Sequence, residues 1–211
     1  MGLLFGIAKE IAIVTLAGKA NEKAKPLDSF DYSYFVIPHD TFRRNNFIVK
    51  DQEEKTLYTL KPNRSKSEKI KSYSARMDIY DSNDCLFASV KAYNTHNPTT
   101  LKTLNECSEY LKFSIVDGES LLEEAESNRI ALSKEEYFLK DRGFIVYSEG
   151  MGLKHWVKNK EGEEIIYLEE PLLSSTTTIS MKNPANLFIS VVIKAMIELS
   201  SYEYAEYGTL F

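Results

Sequence analysis

Residues 183–203 read NPANLFISVVIKAMIELSSYE, and this stretch decides the fold. Asn183 is a favoured helix N-cap, and Pro184 suits the first helical turn, where its missing N–H would have no intrahelical partner anyway. Apolar residues cover the predicted helix except for one narrow polar stripe, which consists of Asn186, Ser190, Lys194 and Glu198. A helix that is apolar almost all round must be surrounded by protein or by lipid.

The sequence favours protein as the surrounding of this helix. Its apolar part is about 16 residues long, which is shorter than the ~20 apolar residues that a membrane span needs. It also carries Lys194 and Glu198, and charged side chains are costly in hydrocarbon. We therefore predict a central hydrophobic helix over about residues 183–200, enclosed by the strands that precede it.

From residue 30 onward, the sequence shows the period of two that is typical of β-strands. Short runs rich in aromatic and β-branched residues alternate with turns rich in Asp, Asn and Gly. The predicted strands are 30–37, 47–50, 56–60, 75–80, 86–93, 110–116, 137–139, 144–147, 155–158, 165–168 and 176–181. Residues 119–133 are ambiguous, because LLEEAE at 121–126 favours a helix by propensity although a strand is also possible. About ten to twelve short strands predict an antiparallel sandwich or barrel.

The N-terminal part of the chain differs from the strand region. Residues 3–17 are mostly apolar and predict an N-terminal helix that packs on the domain or on a second copy; a membrane-surface helix is the alternative. Residues 18–28 are polar and indicate a linker. We therefore divide the 211 residues into a helix and linker at 1–28 and one domain at 29–211.

Charge and cysteine content narrow the function further. The net charge of −5 provides no overall basic field for nucleic acid, so we expect no nucleic-acid partner. Cys85 and Cys107 are too few for a disulfide framework, and the sequence has no convincing signal peptide. These features predict reduced thiols and a cytoplasmic protein.

Three predicted hairpins and the final helix occur in a characteristic order. They comprise Phe47–Asp51 with Thr56–Tyr58, Met77–Asp81 with Leu86–Val90, Trp156–Asn159 with Glu161, Gly162 and Ile165–Leu168, and the helix Pro184–Leu199. In pattern and order they resemble the tubby C-terminal-domain superfamily, which includes the plant LURP-one-related proteins and the phospholipid scramblases. The resemblance covers roughly residues 30–200.

The resemblance implies a mainly β fold, a closed antiparallel barrel of about 12 strands with the hydrophobic helix through its centre. Such closure would also leave few exposed strand edges. Family members are mostly binding or membrane-associated proteins, and tubby-like proteins bind phosphoinositide head groups through surface basic residues. The acidic segment 119–136 departs from the family pattern, and no functional residue of the family matches a position here.

A basic cluster is the main candidate for a binding site. The lipid-head-group candidates are Arg43, Arg44, Lys61, Arg64, Lys66, Lys69 and Lys71, most of them on a serine-rich loop. Glu68 is the one acid within that loop, although the whole protein is acidic. Clustered Lys and Arg attract anionic lipid by about 1 kcal/mol per residue near a surface. The simpler alternative is a solvated charged loop.

Residue patterns for catalysis or metal binding are missing from the sequence. His39, His96 and His155 lie far apart, without the spacing of metal ligands. Several carboxylates are sequence neighbours on a polar stretch rather than a pair that faces across a cleft; they are Glu123, Glu124, Glu126, Glu135 and Glu136. We therefore expect no enzyme, no metal and no cofactor.

Two functional hypotheses follow from these patterns. The first is a non-enzymatic tubby-like binding module that associates peripherally with anionic phospholipid at a membrane surface. The second is a protein-interaction or oligomerising factor that uses residues 3–17 as its contact. A ligand-binding barrel of the lipocalin type competes in fold, but it needs an empty interior, and this sequence supplies a helix to fill it.

Overall fold

Twelve strands follow one another in the described part of the chain, and each pairs antiparallel with the next. A computed structural model describes residues 30–38, 46–63, 75–94, 110–131, 134–149, 153–171 and 176–207. The predicted N-terminal helix at 3–17 and the linker at 18–28 lie outside these ranges, so both stay predictions.

The strands have the following bounds. They are β1 (Tyr32–Pro38), β2 (Phe47–Lys50), β3 (Thr56–Asn63), β4 (Ala75–Asp81), β5 (Leu86–Asn94), β6 (Tyr110–Asp117), β7 (Ser120–Ala131), β8 (Lys134–Leu139), β9 (Phe144–Glu149), β10 (Lys154–Lys158), β11 (Glu164–Glu169) and β12 (Thr177–Met181). The last strand pairs with the first, Met181 opposite Tyr32, which closes the sheet into a barrel. The predicted closed barrel is confirmed, and the sandwich alternative is wrong.

An α-helix, α1 (Leu187–Tyr207), occupies the centre of the barrel. A short 3₁₀-helix, Pro184–Asn186, precedes it, and the side chain of Asn183 accepts a hydrogen bond from the Ala185 N–H at 2.9 Å. Every residue from Ile189 to Ser200 is buried. The prediction of an enclosed helix is confirmed, although the helix continues beyond residue 200. Within the described ranges, no helix combines the length and the hydropathy that crossing a membrane requires.

Alternating side chains of the strands face the helix and form one core with it. Leu60 of β3 lies opposite Phe47 of β2 and Ile79 of β4, and all three are buried in the core cluster. The helix contributes residues from every side to the same cluster, which include Val191, Val192, Ile193, Ala195, Met196 and Leu199. Each strand directs alternate side chains inward, and the helix is apolar on nearly every side. The two patterns form one core because the wall surrounds the helix completely.

The ambiguous segment is a strand. Residues Ser120–Ala131 form β7, which pairs with β6 on one side and β8 on the other. Ala125 faces the core, whereas Glu124 and Glu126 lie at the outer surface near Lys140. Pairing on both sides therefore outweighs the helical propensity of LLEEAE, since propensity is a weak preference that tertiary context overrides.

The barrel has two different ends. The turns 51–55, 82–85, 118–119, 140–143 and 159–163 all lie at one end, which we call the turn end, because the strands they join alternate in direction. The helix enters at the turn end, directly after β12. The opposite end, which we call the exit end, is where β11 finishes and where Lys194 of α1 contacts Glu170.

A matched pair of isoleucines tests the enclosure of the helix. Ile193 of α1 is fully buried, whereas Ile145 of β9 is 44% exposed on the outer wall. We expect Ile193→Ala to lower the free energy of unfolding by about 2–5 kcal/mol, because it removes buried methyl groups and leaves a cavity. Ile145→Ala should change it by less than about 0.5 kcal/mol. Urea unfolding followed by circular dichroism measures both; similar small losses would contradict an enclosed helix.

Candidate functional site

Lys61 is the one lipid-head-group candidate among the described residues, and it lies in β3 rather than in a loop. Its Nζ is 2.7 Å from Asp84 Oδ1 in the β4–β5 turn and 4.1 Å from the centre of the Tyr80 ring. The hydrogen bond to Asp84 raises the pKa of Lys61. The charge of Lys61 is therefore directed toward the turn end and is offset there by a carboxylate.

The other six candidates lie outside the described residues; they are Arg43, Arg44, Arg64, Lys66, Lys69 and Lys71. The described residues that flank them show where these segments attach. Pro38 pairs with Phe47, and Asn63 pairs with Arg76, all at the exit end of the barrel. The candidates thus belong to two connections that leave and rejoin the barrel at the same end, while Lys61 points away from it.

Two further basic residues lie on the outer face of the barrel next to Asn63. Arg76 of β4 and Lys91 of β5 are opposite each other in the strand register, and their neighbours Met77 and Val90 face the core. Like charges directly opposite each other are destabilising unless something offsets them. Sequence reasoning missed this pair because the register was unknown; the only signal was that Arg76 and Lys91 each occupy an outward position of an alternating strand.

The carboxylate of Asp78 offsets the positive charge of Arg76. Asp78 lies in β4 on the outer face, yet its side chain is only 8% exposed. Its Oδ1 accepts hydrogen bonds from Arg76 Nε at 2.6 Å and from Ser89 Oγ at 2.6 Å, and its Oδ2 accepts one from Asn63 Nδ2 at 3.5 Å. Charge-assisted bonds of this length are strong, so they hold the Arg76 guanidinium in a defined position.

We call Asn63, Arg76 and Lys91, with Asp78 beneath them, the β3–β5 outer face. A guanidinium matches the geometry of phosphate oxygens, and a lysine adds a second positive charge beside it. With one carboxylate between two cations, the arrangement carries a net positive charge, which favours anions at this surface. It offers no nucleophile and no acid–base pair among these four residues.

The acidic residues of β7 are divided between the two faces of the wall. Glu123 is buried in the barrel wall, where its Oε1 accepts a hydrogen bond from the Asp141 N–H at 2.7 Å and its Oε2 lies 3.5 Å from Arg142 Nε. Burial raises the pKa of Glu123 above its ordinary value of 4.5. Glu124 and Glu126 instead form ion pairs with Lys140 on the outside. Glu123 thus fastens the β8–β9 turn and does not face another carboxylate across a cleft.

An ion cluster lies inside the exit end of the barrel. Lys194 of α1 is only 2% exposed, and its Nζ is 2.6 Å from Glu198 Oε1 and 3.4 Å from Glu170 Oε2. The polar stripe predicted from the sequence therefore becomes an ion cluster that connects the helix to the end of β11. No group of His, Cys, Asp or Glu suited to a metal ion occurs among the described residues.

A groove of about 270 Å³ lies on the outside near the turn end. Its lining is acidic and polar, and consists of Asp31, Tyr32, Ser33, Tyr34, Asp51, Gln52 and Glu53. Three carboxylates in one groove repel phosphate, so this groove does not fit the anionic ligand that the basic candidates would bind.

Known proteins give little further guidance. The sequence matches no protein-family model and no curated protein. The chain is similar to the X-ray structure of a protein from Arabidopsis thaliana, with 12% sequence identity, a TM-score of 0.48, and coverage of 84% of this chain and 96% of that chain. A likeness at this level carries no conclusion about function.

Two aspartates that each contact a cation test the β3–β5 outer face. Asp78→Asn should lower the free energy of unfolding by about 2 kcal/mol, because a nearly buried charge-assisted network loses its central anion. Asp84→Asn should cost less than about 1 kcal/mol, since the Asp84 side chain is 75% exposed and its ion pair with Lys61 is solvated. Chemical denaturation of both variants provides the comparison. Equal losses would show that burial does not distinguish the two sites.

Glu123 predicts a pH effect on stability. Its folded-state pKa lies above the ordinary value of 4.5, so the folded protein holds this proton more tightly than the unfolded chain does. The resulting stabilisation is complete below the unfolded pKa and is lost as pH rises through the folded pKa. We expect Glu123→Gln to become more stable relative to the wild type as pH rises from the ordinary carboxyl pKa to neutrality. Unfolding curves at both pH values measure this, and a constant difference would contradict it.

Proposed function

We propose that this protein is a non-enzymatic, tubby-like binding module that associates with anionic phospholipid at a membrane surface. The observation that carries the proposal is the filled barrel. Val191, Val192 and Ile193 are successive residues and point about 100° apart around α1, yet all three are fully buried against the wall. A small-molecule ligand or substrate that needs the barrel interior would have to displace the helix, so binding belongs to the outer surface and the two ends.

The basic residues favour the β1–β5 side of the exit end for an anionic surface, whereas the carboxylates of that end, Glu136, Glu149, Glu169 and Glu170, lie at β8, β9 and β11. The connections at 39–45 and 64–74 attach there and carry six basic residues of the predicted cluster against the acids Asp40 and Glu68. The β3–β5 outer face adds Arg76 and Lys91 beside the start of the second connection at Asn63. Basic side chains near an anionic membrane contribute about 1 kcal/mol each, so several together are sufficient for reversible docking.

The turn end is unsuitable for the same surface. Its turns contain more acidic than basic residues; the acids are Asp51, Glu53, Glu54, Asp84, Glu119, Asp141, Glu161 and Glu163, and the bases are Lys55, Lys140, Arg142 and Lys160. An anionic membrane would repel this end and attract the other. The barrel would therefore dock with the exit end toward the lipid and the turn end away from it.

Sedimentation with liposomes tests the proposal. We expect the protein to sediment with vesicles of phosphatidylcholine plus phosphatidylserine or a phosphoinositide, and not with phosphatidylcholine alone. Lys69→Glu with Lys71→Glu should weaken binding roughly tenfold or more, because each lysine contributes about 1 kcal/mol and each glutamate adds repulsion. Added salt should weaken binding too, since it screens exposed charges.

The control places the same change of net charge at the turn end. Lys55 and Lys182 are both exposed there, so Lys55→Glu with Lys182→Glu should leave lipid binding nearly unchanged. An equal loss of lipid binding in the two double variants would show that binding depends on net charge and not on the position of the lysines. Failure to bind either vesicle would remove the lipid proposal.

A further inference from the structure

Exposed apolar side chains concentrate at one place on the turn end. Leu86, Phe87, Leu121 and Leu122 are each between 45% and 54% exposed, and we call these four the apolar rim. Two of them begin β5 and two lie at the start of β7. Since Val116 of β6 pairs with Leu121 on one side and with Ser89 of β5 on the other, the two hairpins lie side by side.

Two β-bulges produce this exposure. The register between β4 and β5 shifts so that Tyr80 pairs with Leu86 while Ile79 pairs with Ala88, which leaves Phe87 as the extra residue. The register between β6 and β7 shifts in the same way and leaves Leu122 as the extra residue. A bulge redirects the side chain of its extra residue, and bulges often lie next to functional sites.

The β5 part of the rim is held in a fixed position. The ring of Phe87 packs edge-on against Phe188 of α1, with ring centres 5.0 Å apart, and lies 6.1 Å from the ring of Tyr58. The adjoining turn is also fixed, because Asp81 Oδ1 accepts hydrogen bonds from the Asn83 and Cys85 N–H groups at 2.9 Å. A rigid surface loses little conformational entropy when a partner binds to it.

Exposed carboxylates lie beside the rim, and the bases of the adjoining β8–β9 turn, Lys140 and Arg142, already pair with Glu123, Glu124 and Glu126. Asp117 and Glu119 are exposed in the β6–β7 hairpin, just before Leu121 and Leu122. Asp84 is exposed in the β4–β5 turn, just before Leu86 and Phe87. Of these three carboxylates, Asp84 alone forms an ion pair with a basic side chain of the described residues, namely Lys61. The combination of apolar side chains and exposed carboxylates is complementary to a segment that carries both apolar and basic residues.

We propose that the apolar rim is a docking site for a basic, amphipathic segment of a partner protein. A partner is not expected to bind by adding a strand, because the twelve described strands form a closed barrel without a free edge. An anionic membrane would be repelled by Asp117 and Glu119. A second copy that used the same surface would bring these carboxylates against each other, so a basic partner fits better. This site is independent of the lipid site, since it lies at the opposite end of the barrel.

A pair of synthetic peptides tests the proposal on the full chain. One is a helical peptide with lysine on one face and leucine on the other, and the second has serine in place of every leucine. We expect the leucine–lysine peptide to bind in fluorescence anisotropy, and the serine–lysine peptide to bind at least about tenfold more weakly, because the rim then lacks its apolar partner.

Matched variants locate the binding. Leu121→Ser with Leu122→Ser should weaken binding of the leucine–lysine peptide about tenfold or more, as should Asp117→Lys with Glu119→Lys. Phe138→Ser with Ile145→Ser is the control, because Phe138 and Ile145 are similarly exposed but lie on the outer wall of β8 and β9. Binding to this control should stay within about twofold of the wild type.

Four results of the peptide and light-scattering measurements would overturn the proposal, and a fifth would come from vesicles. They are the absence of peptide binding, equal binding of the two peptides, an equal loss in the control variant, and a loss of self-association in the Leu121→Ser, Leu122→Ser variant by light scattering. The last result would identify a second copy as the occupant. Sedimentation with phosphatidylcholine vesicles that depends on Leu121 and Leu122 would identify lipid instead, and would likewise contradict a protein partner.

Discussion

The burial of an apolar helix on all sides is the constraint on which the rest of this structure depends. Val191, Val192 and Ile193 leave the helix at successive steps of about 100°, and each is fully buried. Apolar surface gains roughly 25 cal/mol for every Å² removed from water, so an open sheet that covered one side of α1 would forgo much of this stabilisation. A wall that closes on itself buries every side of the helix and also removes the strand edges that would promote aggregation.

Enclosure has an electrostatic cost, and the structure shows how it is offset. Lys194 is buried within the barrel, where an isolated charge costs several kcal/mol. Glu198 lies one helical turn further on, and Glu170 follows β11 at the exit end, so both carboxylates come within ion-pair distance of Nζ. The narrow polar stripe on the helix is therefore compatible with full burial, because Glu170 at the end of β11 lies within ion-pair distance of Lys194.

Because α1 fills the interior of the barrel, the surfaces left for binding are the outer wall and the two ends, which differ in charge and in exposed apolar side chains. The turn end is built from short turns fixed by side-chain hydrogen bonds, and it combines carboxylates with the apolar rim. The exit end is where the connections with the basic residues attach, next to Arg76 and Lys91. A protein with these two ends is suited to hold an anionic surface on one side and a basic protein segment on the other, which links the two proposals without making either depend on the other.

The sequence by itself determined the helix with its Asn183 cap, its need for enclosure and most of the strand positions, because hydrophobic periodicity and capping are local. Strand periodicity left a sandwich and a barrel open; the family resemblance implied the closed barrel, and the pairing of β1 with β12 decided it. The sequence could not determine the structure of residues 119–133, where propensity and pairing conflicted, or the position of Lys61 in β3. Only the tertiary structure decided which residues meet across strands. The bulge opposite Ile115 and Val116 turns Leu121 outward and Glu123 inward, although they are two residues apart and would otherwise share a face. A shift of one residue exchanges the two faces of a strand, so the outer faces, and with them both candidate binding sites, depended on a register that strand periodicity alone does not contain.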